Sequence, residues 1–572
     1  MERRRPVLSH CSSETWGKEK REKEPQKDEP TVILVDQSEE ADWKVFFQLP
    51  PISGDYRPDA ASFLWVPAVQ ESYSFLLSDP EGKTLAAANF PPSEPFLQRH
   101  VVRVGDFRGT ARAEWFCRGA LVYSQRVPFQ TARLLAAVSC DYRQMDTKRS
   151  LWEEMDPNVD LVLHLGDNIY GDHEFFRGLS LLRSSRFRGS EGARRSSAHE
   201  IIRAEYEENY RRSWARWAYH LRHCRHLMIP DDHDVTNGYN SEAFRPGTLE
   251  DEVSQIALEV FRRYQRGLEV EDGEGGNRKM EDKKGGNKEE DFEPQEKKLR
   301  RISRKSGKKG PPEESETPEK SEIPDLFLSR WLDSETLLCL CERASSGGRS
   351  ATAELIEALE REAAGARKLV LAFGAAPLPP AGGFYGKLYR AVYGADGLWS
   401  PGEALSVYEF LQRWLGAEEN AGNERKALLL GGDIHIGVEA VLKWGEDESK
   451  AEEDPTTSNC GQEGEKDSTS SDCNNPSEKG KFVPICVLGP MSNQPTAAEI
   501  IYAKGLREAP LGVGPFRVEI NQARALRNYS SVDLENMEAE TRWSGRRYPR
   551  QKKNLPKALL QLTGHLNGIS GR

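Results

Sequence analysis

The sequence predicts an α/β body that follows a β-rich N-terminal segment and is interrupted by two polar inserts. Short continuous apolar runs, typical of strands buried on both faces, recur from Leu134 onward. Segments with a helical apolar period lie between these runs, and strands that alternate with helices form layered α/β sheets. The chain has 572 residues, which at roughly 150 residues per domain is enough for more than one domain.

The N-terminal part of the chain changes character twice. Residues 1–40 have almost no periodic apolar pattern, so we expect a disordered tail there. Over residues 41–133, aromatic and β-branched runs such as Ser74 to Leu77 are separated by Pro, Gly and Asp clusters. This spacing predicts a small antiparallel β-sandwich domain.

The rest of the chain, residues 134–572, is predicted to be the α/β domain. Apolar runs predict buried strands at residues 134–138, 159–163, 368–373 and 427–430. Helical periods predict helices at residues 201–221, 355–363 and 403–415. Because each apolar run ends in a polar cluster, we expect these strands to lead into polar loops at one edge of a sheet.

Two inserts interrupt this domain, at residues 269–322 and 446–481. The first is dominated by Glu, Lys, Gly and Arg, and the second is rich in Ser, Asp, Glu and Asn. Neither buries enough apolar surface to offset the entropy lost on ordering, so both are expected to be disordered surface loops. A folded body tolerates such loops because closure entropy grows only logarithmically with their length. Protein partners could bind through these charged inserts.

Composition and charge exclude several classes of protein. The 80 Lys and Arg against 91 Asp and Glu give a formal charge of -11, which argues against stable nucleic-acid binding. The nine cysteines include no CxxC pair, which argues against a zinc ribbon. No apolar run approaches the roughly 18 residues of a transmembrane helix, and no secretory signal is recognisable. We therefore expect an intracellular protein, in the cytoplasm or alternatively in the nucleus.

Three clusters of polar side chains follow apolar runs. They are His164–Asp172, Pro230–Asp234 and Gly431–His435. Each cluster taken alone also fits a turn, a helix cap or a solvated loop. In open α/β sheets, however, the carboxyl ends of different strands converge on a ligand, and converging carboxylates repel one another unless a cation compensates them. Together the clusters predict a metal site.

Four motifs, taken in chain order, resemble those of the PhoD-like alkaline phosphatase/phosphodiesterase family of metallophosphoesterases. They are Ser139-Cys140, Gly166–Tyr170, Asp231–Asn237 and Gly432–His435. The resemblance covers roughly residues 134–265 and 324–530. It implies a four-layer α-β-β-α metallophosphoesterase sandwich, preceded by a small N-terminal β-sandwich domain.

The resemblance also implies a set of site residues. The implied metal ligands are Cys140, Asp167, Tyr170, Asp232, Asp433 and His435. The implied catalytic residues are Asp232 and His233, of which the histidine matches the imidazole that contacts phosphate in the wider superfamily. The family holds Fe(III) through Cys, Asp and Tyr and shares the Asp with calcium, so two or more ions are implied. Mn(II), Mg(II) and Zn(II) are the alternatives, and Asp141 is a further candidate ligand.

The implied activity is metal-dependent hydrolysis of a phosphate monoester or diester by a metal-activated hydroxide. Carboxylate and phenolate oxygens are hard donors that suit Fe(III), Ca(II) or Mn(II), and such ions lower the pKa of bound water toward about 7. His233 would then bind a phosphate oxygen or protonate the leaving alkoxide. The alternative is a catalytically weak, phosphate-binding interaction protein on the same fold. Cys140 could also be a small buried apolar residue, and His164 a packed core histidine.

Overall fold

The computed structural model describes most of the chain between Trp43 and Ser544. The described ranges are 43–140, 151–186, 191–239, 244–270, 327–341, 348–379, 399–417, 424–444, 481–491, 497–508 and 511–544, with the single residue Lys387. The predicted tail lies outside the described residues. So do the two predicted inserts, except at their outermost positions, together with Asp141.

The strands of the described residues form three sheets. Their bounds are β1 Phe47–Arg57, β2 Ala60–Pro67, β3 Tyr73–Ser78, β4 Thr84–Phe90, β5 Gln98–Arg103, β6 Thr110–Cys117, β7 Ala120–Pro128, β8 Leu134–Val138, β9 Leu161–Leu165, β10 Arg225–Ile229, β11 Phe327–Trp331, β12 Thr336–Cys341, β13 Lys368–Phe373, β14 Lys426–Gly431, β15 Gly437–Trp444, β16 Lys481–Val487, β17 Leu511–Val513, β18 Phe516–Arg524, β19 Asn528–Asp533 and β20 Glu538–Trp543.

Helices lie between these strands. Their bounds are α1 Trp43–Phe46, α2 Asp172–Arg186, α3 Glu191–His220, α4 Leu249–Tyr264, α5 Gly348–Glu362, α6 Pro401–Gly416 and α7 Ala497–Glu508. Within the described ranges, none of them combines the length and the apolar character that a membrane span requires.

Two eight-stranded sheets form the body. The first has the order β20-β19-β8-β9-β10-β1-β2-β5, and the second has the order β11-β12-β13-β14-β16-β15-β18-β17. The central neighbours β8, β9 and β10 are parallel, as are β12, β13, β14 and β16. These central strands include the runs that the sequence predicts as strands, although β9 begins at Leu161 instead of Val159. The α/β fold class is therefore confirmed.

Apolar side chains fill the space between the two large sheets. Leu163 and Leu227 from the first sheet belong to the same buried cluster as Leu338 and Val370 from the second. A separate cluster joins the first sheet to α2, α3 and α4, and another joins the second sheet to α5, α6 and α7. Each large sheet is thus covered on both faces, which explains why its central strands read as continuous apolar runs.

The predicted N-terminal β domain divides between two sheets. Strands β3, β4, β6 and β7 form a separate four-stranded sheet, whereas β1, β2 and β5 belong to the first large sheet. Gly54 of β1 pairs with His226 of β10 in parallel. Every residue of β2 is buried, which requires cover on both faces and suits an interior strand. The strands of residues 41–133 therefore do not pair only with one another, as those of a separate β-sandwich would.

Candidate metal centre

Four loops meet where β8, β9, β10 and β14 end. Close backbone approach holds them together: the N–H of Cys140 donates to the carbonyl oxygen of Gly166 at 3.2 Å. A Cβ atom at Gly432 would lie 2.4 Å from the carbonyl oxygen of Leu165 and 2.4 Å from Ser139 Oγ. Only glycine therefore allows the fourth loop to approach the first two this closely.

Four predicted ligands have left-handed backbone conformations. The φ angles are 56° at Cys140, 52° at Asp167, 70° at Asp433 and 51° at His435. Positive φ is uncommon outside glycine and costs free energy, so it persists only where the surroundings enforce it. Each sharp bend turns a side chain away from the line of its strand. The concentration of such bends at the ends of the strands marks these loops as a candidate functional site.

The first group of donor atoms contains Cys140, Asp167 and His435. One possible ligand atom from each of these residues lies within 4.8 Å of the others. Tyr170 adjoins the group, because its hydroxyl oxygen is 2.9 Å from Nε2 of His435. The structure thus brings together four of the six predicted metal ligands, from three of the four loops.

A second group of donor atoms contains Asp167, Asp231 and Asp232, also within 4.8 Å. Asp167 belongs to both groups and therefore stands between them. Asp231 lies in a predicted cluster but is not one of the six predicted ligands, because nothing in a run of adjacent aspartates shows which carboxylates face a site. Its carboxylate also caps the short turn Asp232–Asp234, accepting the N–H of Asp232 at 2.9 Å.

Asp433 contacts the site through its backbone. Its N–H donates to Ser139 Oγ at 3.2 Å, and its carbonyl oxygen lies 3.9 Å from the sulfur of Cys140. Neither of the two donor groups found in the described residues includes its carboxylate. The predicted role of Asp433 as a ligand therefore has less geometric support than that of Asp167.

The carboxylate of Asp167 is fully buried, and neither of its oxygens has a hydrogen-bond partner among the described residues. Burial raises the pKa of this carboxyl well above its usual value; the charge of His233 opposes the shift, and the neighbouring Asp232 adds to it. A buried carboxylate without hydrogen bonds is costly unless an opposite charge compensates it. The residues present therefore fit a bound cation.

Cys140 is also fully buried. Burial raises the pKa of its thiol well above the usual value, and the nearby charges of Asp167 and Asp433 act in the same direction. A thiolate at this position would need a compensating cation, because metal ligation by cysteine displaces the thiol proton. Its Sγ lies near a carboxylate and an imidazole. A cysteine that served only as a small buried apolar residue would not need such polar neighbours.

His233 forms a hydrogen-bonded pair with Asp172. The distance from Nδ1 of His233 to Oδ2 of Asp172 is 2.7 Å, and Asp172 also accepts the N–H of Asn237 at 2.8 Å. Burial lowers the pKa of His233, but the carboxylates of Asp167 and Asp172 outweigh it and raise the pKa to about 10. The ring of Tyr170 lies 4.4 Å from the imidazole. The imidazole of His233 therefore lies beside the carboxylates of the second donor group and is held there by Asp172.

Helix α3 supports the site from behind. Asn209 donates to the carbonyl oxygen of Tyr170 at 2.9 Å, and the hydroxyl of Tyr206 donates to the carbonyl oxygen of Val235 at 2.9 Å. Both side chains are fully buried. The helix thereby fixes the loops after β9 and β10 relative to each other.

His164 lies in the apolar core, in agreement with the alternative that the sequence allows. Its Nε2 is 3.0 Å from Nδ1 of His226, and its ring centre is 4.7 Å from that of Trp217. Burial lowers the pKa of His164 well below its usual value. A neutral histidine pair in the core therefore explains this residue without any role at the site.

The match to a known family falls on the segment that carries three of the four loops. Residues 135–266 match the family model of the PhoD-like phosphatase. This segment of the chain is PhoD-like. Over this segment the predicted resemblance to the PhoD-like phosphatases is confirmed, and the match supports the prediction of a phosphoric ester hydrolase. A search of curated proteins gives no match.

Solved structures add a likeness of fold. The structure of PhoD is 14% identical to this chain and covers 87% of it and 89% of its own chain, with a TM-score of 0.51. A β-glucuronidase from Ruminococcus gnavus, in complex with a C6-substituted uronic isofagomine, is 10% identical over 66% of this chain and 60% of its own, with a TM-score of 0.21. One from Faecalibacterium prausnitzii is 10% identical over 66% and 58%, with a TM-score of 0.22. The two glucuronidase scores are too low to support any inference.

Proposed function

We propose that this PhoD-like chain hydrolyses phosphate monoesters or diesters at a metal centre formed by its four loops. The observation that carries the proposal is the carboxylate of Asp167. It is fully buried between two groups of donor atoms, and both of its oxygens lack hydrogen-bond partners among the described residues. The imidazole of His233, held by Asp172, lies beside it. Cation-binding groups and a proton donor therefore adjoin one another.

The two donor groups differ in chemistry and suit different ions. We assign Cys140, Tyr170, His435 and Asp167 to one ion, since thiolate, phenolate and imidazole suit a transition metal such as Fe(III). We assign Asp167, Asp231 and Asp232 to an ion that prefers oxygen, such as Ca(II). Asp433 stays a proposed ligand as well. When bound, the ions would supply positive charge that acidifies water and withdraws charge from a phosphoryl group.

The protein residues supply orientation and a proton. Asp172 holds Nδ1 of His233, so the opposite nitrogen of the ring is free of that contact and donates to a phosphoryl oxygen or to the leaving alkoxide. Asp232 is held by the N–H of Gly238, which donates to its Oδ2. We assign Asp232 its catalytic role as a carboxylate held beside His233 that would bind one of the ions.

Four finer features complete the proposal. The apolar layer between the large sheets, with helices on their outer faces, supports a four-layer α-β-β-α sandwich. We retain residues 41–133 as an N-terminal β domain that shares strands with the first large sheet, and an intracellular location for the chain. The charged inserts stay candidates for binding protein partners.

The test of the function is removal and return of metal. The purified full chain should hydrolyse p-nitrophenyl phosphate, bis-p-nitrophenyl phosphate or both. Stripped with a chelator, it should lose this activity and regain it with one of Fe(III) plus Ca(II), Mn(II) or Mg(II). With iron bound, phenolate-to-metal charge transfer should colour the protein. Tyr170→Phe keeps the ring and its packing but removes the oxygen, so this absorption should fade in the variant.

Two results would revise the proposal in different ways. A colourless iron-loaded protein with full activity would remove Tyr170 and Fe(III) from the assignment but leave ester hydrolysis standing. Tight binding of inorganic phosphate without turnover of either ester, under every metal, would instead favour the interaction protein. Tyr123→Phe serves as the matched control, because Tyr123 is a buried tyrosine in the four-stranded sheet and lies outside both donor groups.

A second prediction separates the proton donor from the metal ligands. His233→Ala should lower kcat by about 10² to 10⁴, the usual contribution of general acid catalysis, while metal content stays at the wild-type level. Asp172→Asn keeps an oxygen that accepts from Nδ1 but removes the charge, so its loss of kcat should be smaller. Elemental analysis and steady-state kinetics on the same samples measure both effects. Loss of metal in His233→Ala would make His233 a ligand.

A further inference from the structure

We infer that Glu499 is a positioning residue that fixes the tautomer of His435, so that Nε2 of the imidazole is held unprotonated toward Cys140 and Asp167. The part of this inference that concerns a bound metal rests on the proposed function; the part that concerns the tautomer does not. Glu499 is separated from His435 by 64 residues of sequence, and no motif marks it. Its role follows from its contact alone.

The contact between Glu499 and His435 is direct and buried. Oε1 of Glu499 lies 2.9 Å from Nδ1 of His435, and the glutamate side chain is 1% exposed. Glu499 is the third residue of α7, in the first turn, where the positive end of the helix dipole stabilises a negative charge. A carboxylate only accepts hydrogen bonds, so Nδ1 of His435 is the nitrogen that carries the proton.

The opposite nitrogen of His435 contacts Tyr170, which adjoins the first donor group. Nε2 lies 2.9 Å from the hydroxyl oxygen of Tyr170 and belongs to the residue that completes the group with Cys140 and Asp167. With Nδ1 protonated, Nε2 has a lone pair that accepts from Tyr170 or binds a cation. Glu499 therefore determines that the lone pair is on Nε2, although it contacts the other nitrogen of the ring.

Burial alone does not hold His435 in one ring orientation. Its φ of 51° is a conformation that a histidine adopts only at a cost in free energy, and its side chain is 17% exposed. Without a partner on Nδ1 the ring could rotate or carry its proton on Nε2, which would block the lone pair. Carboxylates that orient ligating histidines in this way typically contribute 10- to 100-fold in metal affinity.

The experiment uses the full chain labelled with ¹⁵N-histidine and freed of metal. Nitrogen chemical shifts report the tautomer of each of the eleven histidines, and His435→Gln identifies the signal of His435. We expect protonated Nδ1 in the wild type and a shift toward protonated Nε2 in Glu499→Ala. Glu499→Gln should keep the wild-type tautomer, because its amide oxygen still accepts from Nδ1. Ile500→Ala, at a 57% exposed neighbouring position on α7, is the control.

Titration with Co(II) alone measures the consequence for metal binding. Thiolate absorption of the bound Co(II) reports the Cys140 side of the centre, and its affinity should fall about 10- to 100-fold in Glu499→Ala but little in Glu499→Gln or Ile500→Ala. A wild-type His435 protonated on Nε2 would overturn the inference, even if Glu499→Ala did not fold. So would a Glu499→Ala variant with unchanged tautomer and Co(II) affinity. A wild type that has the expected tautomer but hydrolyses no ester would refute the proposed function alone.

Discussion

Asp167→Asn removes most of the bound metal and lowers ester hydrolysis by more than about a hundredfold, the upper end of the loss seen when only an outer partner of a ligand is removed. Asp167 is the one residue that belongs to both donor groups, so its substitution affects both proposed ions. A neutral amide keeps the shape of the side chain but loses the charge that a di- or trivalent ion requires. Elemental analysis and kcat/KM on the metal-loaded variant measure the effect.

The same substitution should have the opposite effect on the stability of the metal-free protein. The pKa of Asp167 is raised by burial, so its ionised form is disfavoured in the folded state and folding weakens as pH rises through that pKa. The neutral amide avoids this loss at neutral pH. Metal-free Asp167→Asn should therefore melt at a higher temperature than metal-free wild type. With metal added, the wild type should have the higher melting temperature, because the metal binds its folded state.

The control for this prediction is Asp106→Asn, at an exposed position between β5 and β6. It should change neither metal content nor melting temperature appreciably. Equal metal content in Asp167→Asn and wild type would contradict the assignment of Asp167 to the centre. An Asp167→Asn variant that is less stable than wild type both with and without metal would show that the carboxylate has a structural partner instead.

Arg225→Met destabilises the fold by about 3 to 5 kcal/mol, a large part of the roughly 5 to 15 kcal/mol that typical domains possess. The Arg225 side chain is fully buried at the start of β10. Its guanidinium donates to four backbone carbonyl oxygens, those of Gly54, Arg57, Ala60 and Pro128. Methionine fills similar volume but donates no hydrogen bond, so these buried acceptors lose a partner.

Chemical denaturation of the metal-free protein measures this loss. Arg112→Met is the control, because Arg112 is 59% exposed and its ion pair with Glu114 lies at the surface. That change should stay within about 0.5 kcal/mol of wild type. Burial lowers the pKa of Arg225 to about 10, because a charged guanidinium loses hydration free energy in the protein interior. If Arg225→Met were as stable as wild type, the cost of this lost hydration would equal the benefit of the four hydrogen bonds.

The sequence predicts the elements and motifs of the body better than their assembly. Strands buried on both faces leave continuous apolar runs, so β13 is found at its predicted bounds, Lys368–Phe373. Strand β2 has the same buried character, but the sequence alone groups it with its neighbours along the chain, because an apolar run does not reveal which strand pairs with it. The pairing of strands that are distant in sequence, such as β1 and β10, becomes visible only in the folded chain.

The same limit applies within the candidate site. Cys140 and His435 stand in short motifs that the sequence displays, whereas Asp172 and Glu499 act through the nitrogens of histidines on other loops. Asp172 ends one of the predicted polar clusters, but its role is not evident before its partner is known, and Glu499 is one of 91 acidic residues and lies in no cluster. Residues that bind a ligand leave a local pattern, but residues that orient them do so only through long-range contacts.

The four left-handed residues also have a consequence for protein engineering. A copy of Cys140, Asp167, Asp433 and His435 placed on regularly extended strand ends would direct the four side chains differently, since each φ lies between 51° and 70° here. A grafted centre would have to reproduce the bends, including the glycine at Gly432 that admits the fourth loop. The transferable unit is therefore a set of loop conformations with their supporting helix, and the side chains alone are insufficient.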